Sequence, residues 1–149
     1  MKKVLLATLF AVASTAALAV DVGVNGSYDF DSSRPGAGVT VGQKFGKFGV
    51  TGGFDRYTKG TDTDKWTLVG SYDVFTVSNA TVAVKAGAAY IDNTGSTLKD
   101  GYAALVGAGV SYPITDKIAG TVDYRYQAGQ SKINSQNGST VSAGLKYSF

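Results

Sequence analysis

Apolar and polar positions alternate along almost the whole chain after residue 19. Between Val20 and Phe30, every second residue is apolar or glycine, and the residues between them are polar or small. Side chains on a β-strand point alternately to opposite faces, so this two-residue period predicts a strand with one apolar and one polar face. The same pattern recurs along the chain, and we predict eight such strands.

The connections between the predicted strands alternate between short and long. Turns near residues 46, 78 and 115 are tight, whereas the polar segments predicted as loops cover 31–36, 58–64, 92–100 and 129–138. Transmembrane β-barrels have an even number of strands of about ten residues, with short periplasmic turns and longer external loops. The predicted fold class is therefore all-β: an eight-stranded antiparallel up-and-down transmembrane β-barrel over residues 20–149, with both termini in the periplasm.

The first 19 residues have the features of a secretory signal peptide. They begin with the basic pair Lys2 and Lys3, continue as an uncharged and mostly apolar run, and end in Ala17-Leu18-Ala19. This order of basic, apolar and small residues predicts cleavage after Ala19. Cleavage leaves 12 basic against 11 acidic residues, so the net charge falls from +3 to +1. The charge balance therefore gives no reason to expect nucleic-acid binding.

The chain contains no cysteine and no histidine, and all its acidic residues are aspartate. Structural zinc sites, thiol nucleophiles and Ser-His-Asp triads all need residues that it lacks. We therefore expect no enzymatic activity, no cofactor and no metal site.

Alternation does not say which face points outward. A soluble secreted barrel of the lipocalin kind has the same period with its apolar face inside, and it remains an alternative. The polar face of this chain, however, is mainly Gly, Ala, Ser and Thr, whereas solvent-exposed faces are usually rich in Lys and Glu. Small residues fit a narrow lumen better, which favours the membrane barrel.

The charges on the polar face are nearly balanced, as an internal network of ion pairs requires. We predict that nine residues form such a network in the lumen: Asp21, Asp29, Lys44, Asp55, Asp73, Lys85, Asp123, Arg125 and Lys146.

Aromatic residues on the apolar face concentrate near the strand ends, as the two aromatic girdles at membrane interfaces do. Those predicted toward the long loops are Tyr28, Phe30, Phe54, Trp66, Tyr90, Tyr102, Tyr124 and Tyr126. Those predicted toward the tight turns are Phe45, Phe48, Tyr112 and Phe149. This band is expected to contact outer-membrane lipid.

The last third of the chain resembles the final hairpin of small outer-membrane β-barrel proteins of the opacity-type, OmpX-like and OmpA-transmembrane-domain-like family. The resemblance lies in residues 115–126, the Gly/Ser/Asn-rich loop after them, and the ending 142–149. The ending resembles the signal read by the barrel-assembly machinery, with alternating residues Val141, Leu145, Tyr147 and Phe149. The resemblance implies a Gram-negative outer membrane and roles such as adhesion, serum resistance, envelope stability or a narrow pore.

Two functions fit these observations best. The first is a scaffold that presents the four predicted loops to a surface partner. The second is a narrow or gated channel, which is less favoured because eight strands enclose an interior about filled by side chains. A soluble ligand-binding barrel is a third alternative. Outer-membrane enzymes of similar barrel form use a catalytic histidine, and this chain has none.

Overall fold

A computed structural model describes residues 20–58, 62–93, 100–129 and 137–149, so the predicted signal peptide lies outside the described residues. These residues form eight strands that close into one barrel, in which each strand pairs antiparallel with the next and β8 pairs with β1. The strands are β1 (Val20–Asp29), β2 (Arg34–Phe45), β3 (Phe48–Tyr57), β4 (Thr63–Val77), β5 (Ala80–Asn93), β6 (Gly101–Pro113), β7 (Ile118–Gly129) and β8 (Gly138–Ser148). The predicted eight-stranded barrel is confirmed.

The register of the pairs tilts the strands against the barrel axis. Paired residues followed once around the barrel from Val20 return at Phe30, directly after β1 and ten residues further along. A barrel closed with such a stagger has strands inclined by about 40°. Residues at the same height on different strands are therefore not the residues that pair directly.

The tight turns lie where the sequence places them. Gly46-Lys47 joins β2 to β3, Ser78-Asn79 joins β4 to β5, and the four residues 114–117 join β6 to β7. Ser78 and Asn79 have φ values of 46° and 72°, the left-handed conformation that two-residue hairpin turns need to match strand twist. We call this end of the barrel the turn end and the opposite end the loop end.

The first predicted loop, 31–36, is wrong in extent. Asp29 already pairs with Arg34, so the connection consists only of residues 30–33. The Asp29 carboxylate accepts hydrogen bonds from the backbone N–H groups of Asp31 (3.1 Å) and Ser32 (3.0 Å), and this local turn lets the strands pair sooner.

The strands also extend into the other three predicted loops. The connections that remain are residues 58–62, 94–100 and 130–137. Most of their residues lie outside the described ranges, namely 59–61, 94–99 and 130–136.

A β-bulge interrupts the alternation near the turn end of β4. The register with β5 shifts between Asp73 and Phe75, so Val74 is the extra residue and Phe75 pairs with Val82. Because a bulge changes which residues share a face, both Val74 and Phe75 are exposed beside the outward Val82. In the sequence, this bulge corresponds to the adjacent apolar residues Val74 and Phe75.

The apolar face of the barrel points outward. Val106, for example, is 55% exposed, while polar side chains such as Thr140 and Ser142 are buried in the interior. A soluble protein does not expose a continuous band of large apolar side chains, whereas a barrel in lipid does. In the described residues no helix is long and apolar enough to cross a membrane.

Candidate functional site

The barrel interior is the place where the chain concentrates its buried charges, and its two halves differ. The half toward the turn end contains a cavity of about 180 Å³. Its wall is made of small side chains such as Thr51, Ser71 and Thr121, together with ionic groups. A polar space of this size holds several water molecules.

Three lysine–aspartate pairs surround this cavity. Lys146 Nζ lies 3.0 Å from Asp21 Oδ2, and the hydroxyl of Ser148 donates to the other oxygen of the same carboxylate. The other two pairs connect strands that are not neighbours in the sheet. They are Lys44 with Asp73, from β2 to β4, and Lys85 with Asp123, from β5 to β7.

A fourth ion pair crosses the lumen and is more buried than the three lysine–aspartate pairs. Arg125 on β7 directs Nη1 toward Asp55 Oδ2 on β3, the strand on the opposite side of the barrel, at 4.0 Å. Asn25 Nδ2 donates to Asp55 Oδ1 at 2.8 Å, and Arg125 Nη2 donates to Ser142 Oγ at 3.0 Å. These bonds link β1, β3, β7 and β8 through a buried charged group, which holds opposite walls in a fixed relation.

The structure therefore brings eight of the nine predicted network residues into ion pairs inside the barrel. The exception is Asp29, whose carboxylate is occupied by the backbone of the first turn at the loop end. Within the described ranges, no three acidic, histidine or cysteine side chains come together to hold a metal ion.

The half of the interior toward the loop end is closed. Tyr57 is 2% exposed and Ile91 is 1% exposed, although both point into the lumen. The neighbouring buried residues form two small apolar clusters, one of Val69, Ala89 and Leu105 and one of Ile91 and Ala103. We call Tyr57, Lys65, Ile91 and Leu105 the loop-end plug.

Gly36 makes room for the Tyr57 ring. A Cβ atom built on Gly36 lies 2.8 Å from two carbons of that ring and 2.8 Å from Ser27 Oγ, which no real Cβ tolerates. Glycine is therefore required opposite this tyrosine, because the ring fills the space that a side chain on β2 needs.

Two cations lie against the Tyr57 ring. Lys65 Nζ is 5.1 Å from the ring centroid, and the Arg34 guanidinium is 5.9 Å from it. Arg34 Nη1 also donates to Thr63 Oγ1 at 2.9 Å, and Thr63 Oγ1 donates to Asn93 Oδ1 at 3.0 Å. The loop-end half thus combines an apolar layer with a layer of donors.

Sequence reasoning missed the plug. Lys65 stands between the predicted loop 58–64 and the strand predicted from Trp66, so it was assigned to neither. Leu105 and Val69 are large apolar residues at inward positions of the alternation, and that misplaced hydrophobicity is the signal that could have found them.

The predicted aromatic residues lie on the outer surface, several of them in contact as pairs. At the loop end the pairs are Tyr28 with Phe30, Phe54 with Trp66, and Tyr90 with Tyr102, with ring centroids 5.4, 4.6 and 5.1 Å apart. At the turn end they are Phe48 with Tyr72 and Tyr147 with Phe149, both at 4.8 Å. Phe45, Tyr112, Tyr124 and Tyr126 are exposed as well.

The last residues close the barrel seam. Phe149 N donates to Val20 O at 3.1 Å, across the seam between β8 and β1. On the other side of β8, Ser148 N donates to Lys117 O at 2.8 Å. Leu145, Tyr147 and Phe149 are exposed on the outer face. Recognition of this ending by the assembly machinery stays a prediction.

Comparison with known proteins gives one family match. The chain matches the model of the porin subfamily over residues 9–148. No curated protein matches it.

Several solved structures have a similar architecture. The chain is similar to the N-terminal β-barrel domain of Pseudomonas aeruginosa OprF, with 17% identity, a TM-score of 0.76, and coverage of 88% of this chain and 97% of that chain. It is also similar to Ail of Yersinia pestis in a phospholipid nanodisc (13%, TM-score 0.60, 89% and 99%) and to Neisserial surface protein A (20%, TM-score 0.58, 90% and 98%). At these identities the likeness is one of fold.

Proposed function

This chain belongs to the porin subfamily, which agrees with its resemblance to small outer-membrane β-barrels, and we propose that it acts as a scaffold without a conducting pore. The observation that carries this proposal is the loop-end plug. The cavity near the turn end stops below a layer in which Tyr57 and Ile91 are almost completely buried. Water and ions leave such narrow apolar constrictions, so the layer acts as a barrier.

The ion pairs near the turn end are a weaker barrier. The side chains of Lys44, Lys85 and Lys146 keep between a quarter and two fifths of their surface exposed. Partly exposed ion pairs are screened by water and can rearrange as an ion passes. The buried side chains of the loop-end plug would have to move out of the lumen before an ion could pass. We therefore place the barrier to ion flow at the plug and not in the charge network.

A closed barrel leaves its ends as the places where it can act. We infer that the loop end faces the outside and that both termini face the periplasm, since outer-membrane barrels place their shorter turns inside. The connections 30–33, 58–62, 94–100 and 130–137 then form the cell-surface part. A surface partner bound there fits the adhesion or envelope roles expected from the resemblance.

A gated channel is the second candidate, and two observations favour it. The family model is that of a porin subfamily, and the cavity already occupies the turn-end half of the lumen. Conduction requires Tyr57 to leave its place above Gly36.

Planar-bilayer recordings separate the two functions. We expect the wild type to show little or no conductance and the double variant Tyr57→Ala, Ile91→Ala to show steady channel currents. The matched control is Lys85→Ser, Arg125→Ser, Lys146→Ser, which alters the charge network and leaves the plug in place. We expect it to remain closed. Large, steady conductance of the wild type would overturn the scaffold proposal and make the channel the primary function.

A further inference from the structure

The hairpin formed by β4 and β5 continues past the aromatic girdle at the turn end. Phe48, the first residue of β3, pairs with Tyr72 on β4, and their two rings form one of the girdle contacts. β4 runs on to Val77, which pairs with Ala80 on β5. With a strand rise of about 3.3 Å and a tilt of about 40°, Val77 lies roughly 10 Å beyond Tyr72 along the barrel axis. We call residues 74–80 the hairpin tip.

The hairpin tip presents apolar side chains where a barrel strand normally enters water. Val74, Phe75 and Val77 are 46%, 54% and 60% exposed. β6 lies beside the hairpin, and Tyr112 and Ile114 at its end are exposed as well. A continuous group of exposed apolar side chains marks a contact surface. The apolar outer surface of the barrel therefore extends beyond the girdle on this side.

The hairpin tip is also uncharged, unlike the other two tight turns. No charged residue occurs from 74 to 84, whereas the turn between β2 and β3 contains Lys47 and the turn between β6 and β7 contains Lys117. A lysine keeps its ammonium group in water or at the headgroup level, because transfer of the charge into lipid is unfavourable. The hairpin tip carries no group that opposes contact with lipid in this way.

The backbone of the hairpin tip limits the depth that it can reach. β5 pairs with it on one side, but on the other side β3 has already ended, and Asp73 N donates to Lys47 O in the neighbouring turn. Among the described residues, no strand pairs with this edge of residues 74–77. Its N–H and C=O groups need water or headgroup oxygens as partners, because hydrocarbon offers none. Only the boundary between headgroups and acyl chains suits both the apolar side chains and the open edge.

We propose that the hairpin tip is a lipid-contacting surface, which inserts at the boundary between the headgroups and acyl chains of the leaflet at the turn end. Its partner is the bilayer, because the tip continues the apolar outer face of the barrel with no charged residue in between. Amphipathic segments at this boundary bury their apolar face about 5–10 Å deep. The turn at Gly46-Lys47 stays in the water beside the membrane.

Spin labels measure this depth. The chain contains no cysteine, so Val77→Cys and Lys47→Cys each give one labelling site in the full barrel, refolded into phosphatidylcholine nanodiscs. Power-saturation EPR compares the collisions of each label with oxygen, which concentrates in lipid, and with a nickel chelate, which stays in water. We expect the label at 77 to favour oxygen and the label at 47 to favour the nickel chelate. Heat-modifiable electrophoretic mobility verifies that each labelled variant is folded.

A third label tests whether the apolar side chains hold the hairpin tip in the lipid. It is attached at Ala80→Cys, on the residue that pairs with Val77. The double substitution Phe75→Asn, Val77→Asn should shift this label from oxygen toward the nickel chelate. Thr76→Asn is the matched control, because Thr76 lies between them on the opposite face, where its hydroxyl contacts that of Thr81. It should leave the label at its original depth.

Three results would overturn the proposal. If the label at 77 favours the nickel chelate as strongly as the label at 47 does, the hairpin tip lies in water. If neither reagent reaches the label at 77, the tip is covered by protein, as in a contact between two copies of the chain. If the double substitution leaves the label at Ala80 unmoved, the apolar side chains do not set its depth. None of these results bears on the scaffold proposal, which is decided by conductance.

Discussion

The two halves of the barrel interior arise from the same alternation of residues but stabilise the barrel in different ways. The turn-end half keeps a cavity and fills its wall with small residues and lysine–aspartate pairs. The loop-end half is filled by an aromatic ring and branched apolar side chains, with Arg34 and Lys65 against the ring. We expect the first half to hold water and the second to exclude it. The difference shows that the larger buried side chains lie toward the loop end, where we propose that the barrel is closed.

The largest expected effect is that of removing the aromatic ring from the plug. Tyr57→Ala should destabilise the barrel by about 3–5 kcal/mol, because a buried ring is lost and the space above Gly36 stays empty. Thr51→Ala, on the cavity wall, should change stability by less than about 1 kcal/mol. Urea unfolding of the two refolded variants measures both. Equal losses would mean that the two halves are packed alike.

The second comparison concerns a deep and a shallow ion pair. Asp55→Asn leaves the buried Arg125 guanidinium without its counter-charge, which should destabilise the barrel by about 3 kcal/mol. Asp21→Asn affects a pair whose lysine side chain is 29% exposed, so solvent replaces the partner and the loss should be about 1 kcal/mol or less. The same unfolding assay checks the order, and a larger loss at Asp21 would contradict it.

Much of the fold could be predicted from the sequence because the face of a strand on which a residue lies depends only on its parity. The limits of the strands could not, since the Asp29 carboxylate shortens the first connection through a local turn. The bulge at Val74 was equally hidden, because two adjacent apolar residues fit either a bulge or a strand end.

The site was less predictable than the fold. Parity placed Asp55 and Arg125 in the lumen, but their pairing across the barrel depends on the stagger of the strands, which the sequence does not show. The loop-end plug could not be predicted either, because it also depends on the stagger of the strands. Tyr57 on β3 and Ile91 on β5 are far apart in sequence, and the tilt of the strands decides which inward residues lie at the same height.

A third prediction compares one substitution in the two halves. Gly36→Ala brings its Cβ within 2.8 Å of rigid ring carbons and should destabilise the barrel by about 1–3 kcal/mol. Gly49→Ala meets only the Ser71 hydroxyl at 2.6 Å, with the next atom at 3.6 Å, and that hydroxyl can rotate away. We expect little change there. Comparable losses in urea unfolding would show that the turn-end wall is as rigid as the plug.

The last comparison replaces one lysine in each half by methionine, and the smallest change in stability is expected at Lys65. Lys85→Met leaves Asp123 without its cation in the lumen and should destabilise the barrel. Lys65→Met removes a buried charge that forms no ion pair with a described carboxylate and keeps a side chain of similar length against the Tyr57 ring. Because the desolvation penalty disappears together with the cation–π contact, the change should stay within about 1 kcal/mol of zero. A loss at Lys65 as large as that at Lys85 would show that the plug depends on its cation as much as the cavity depends on its ion pairs.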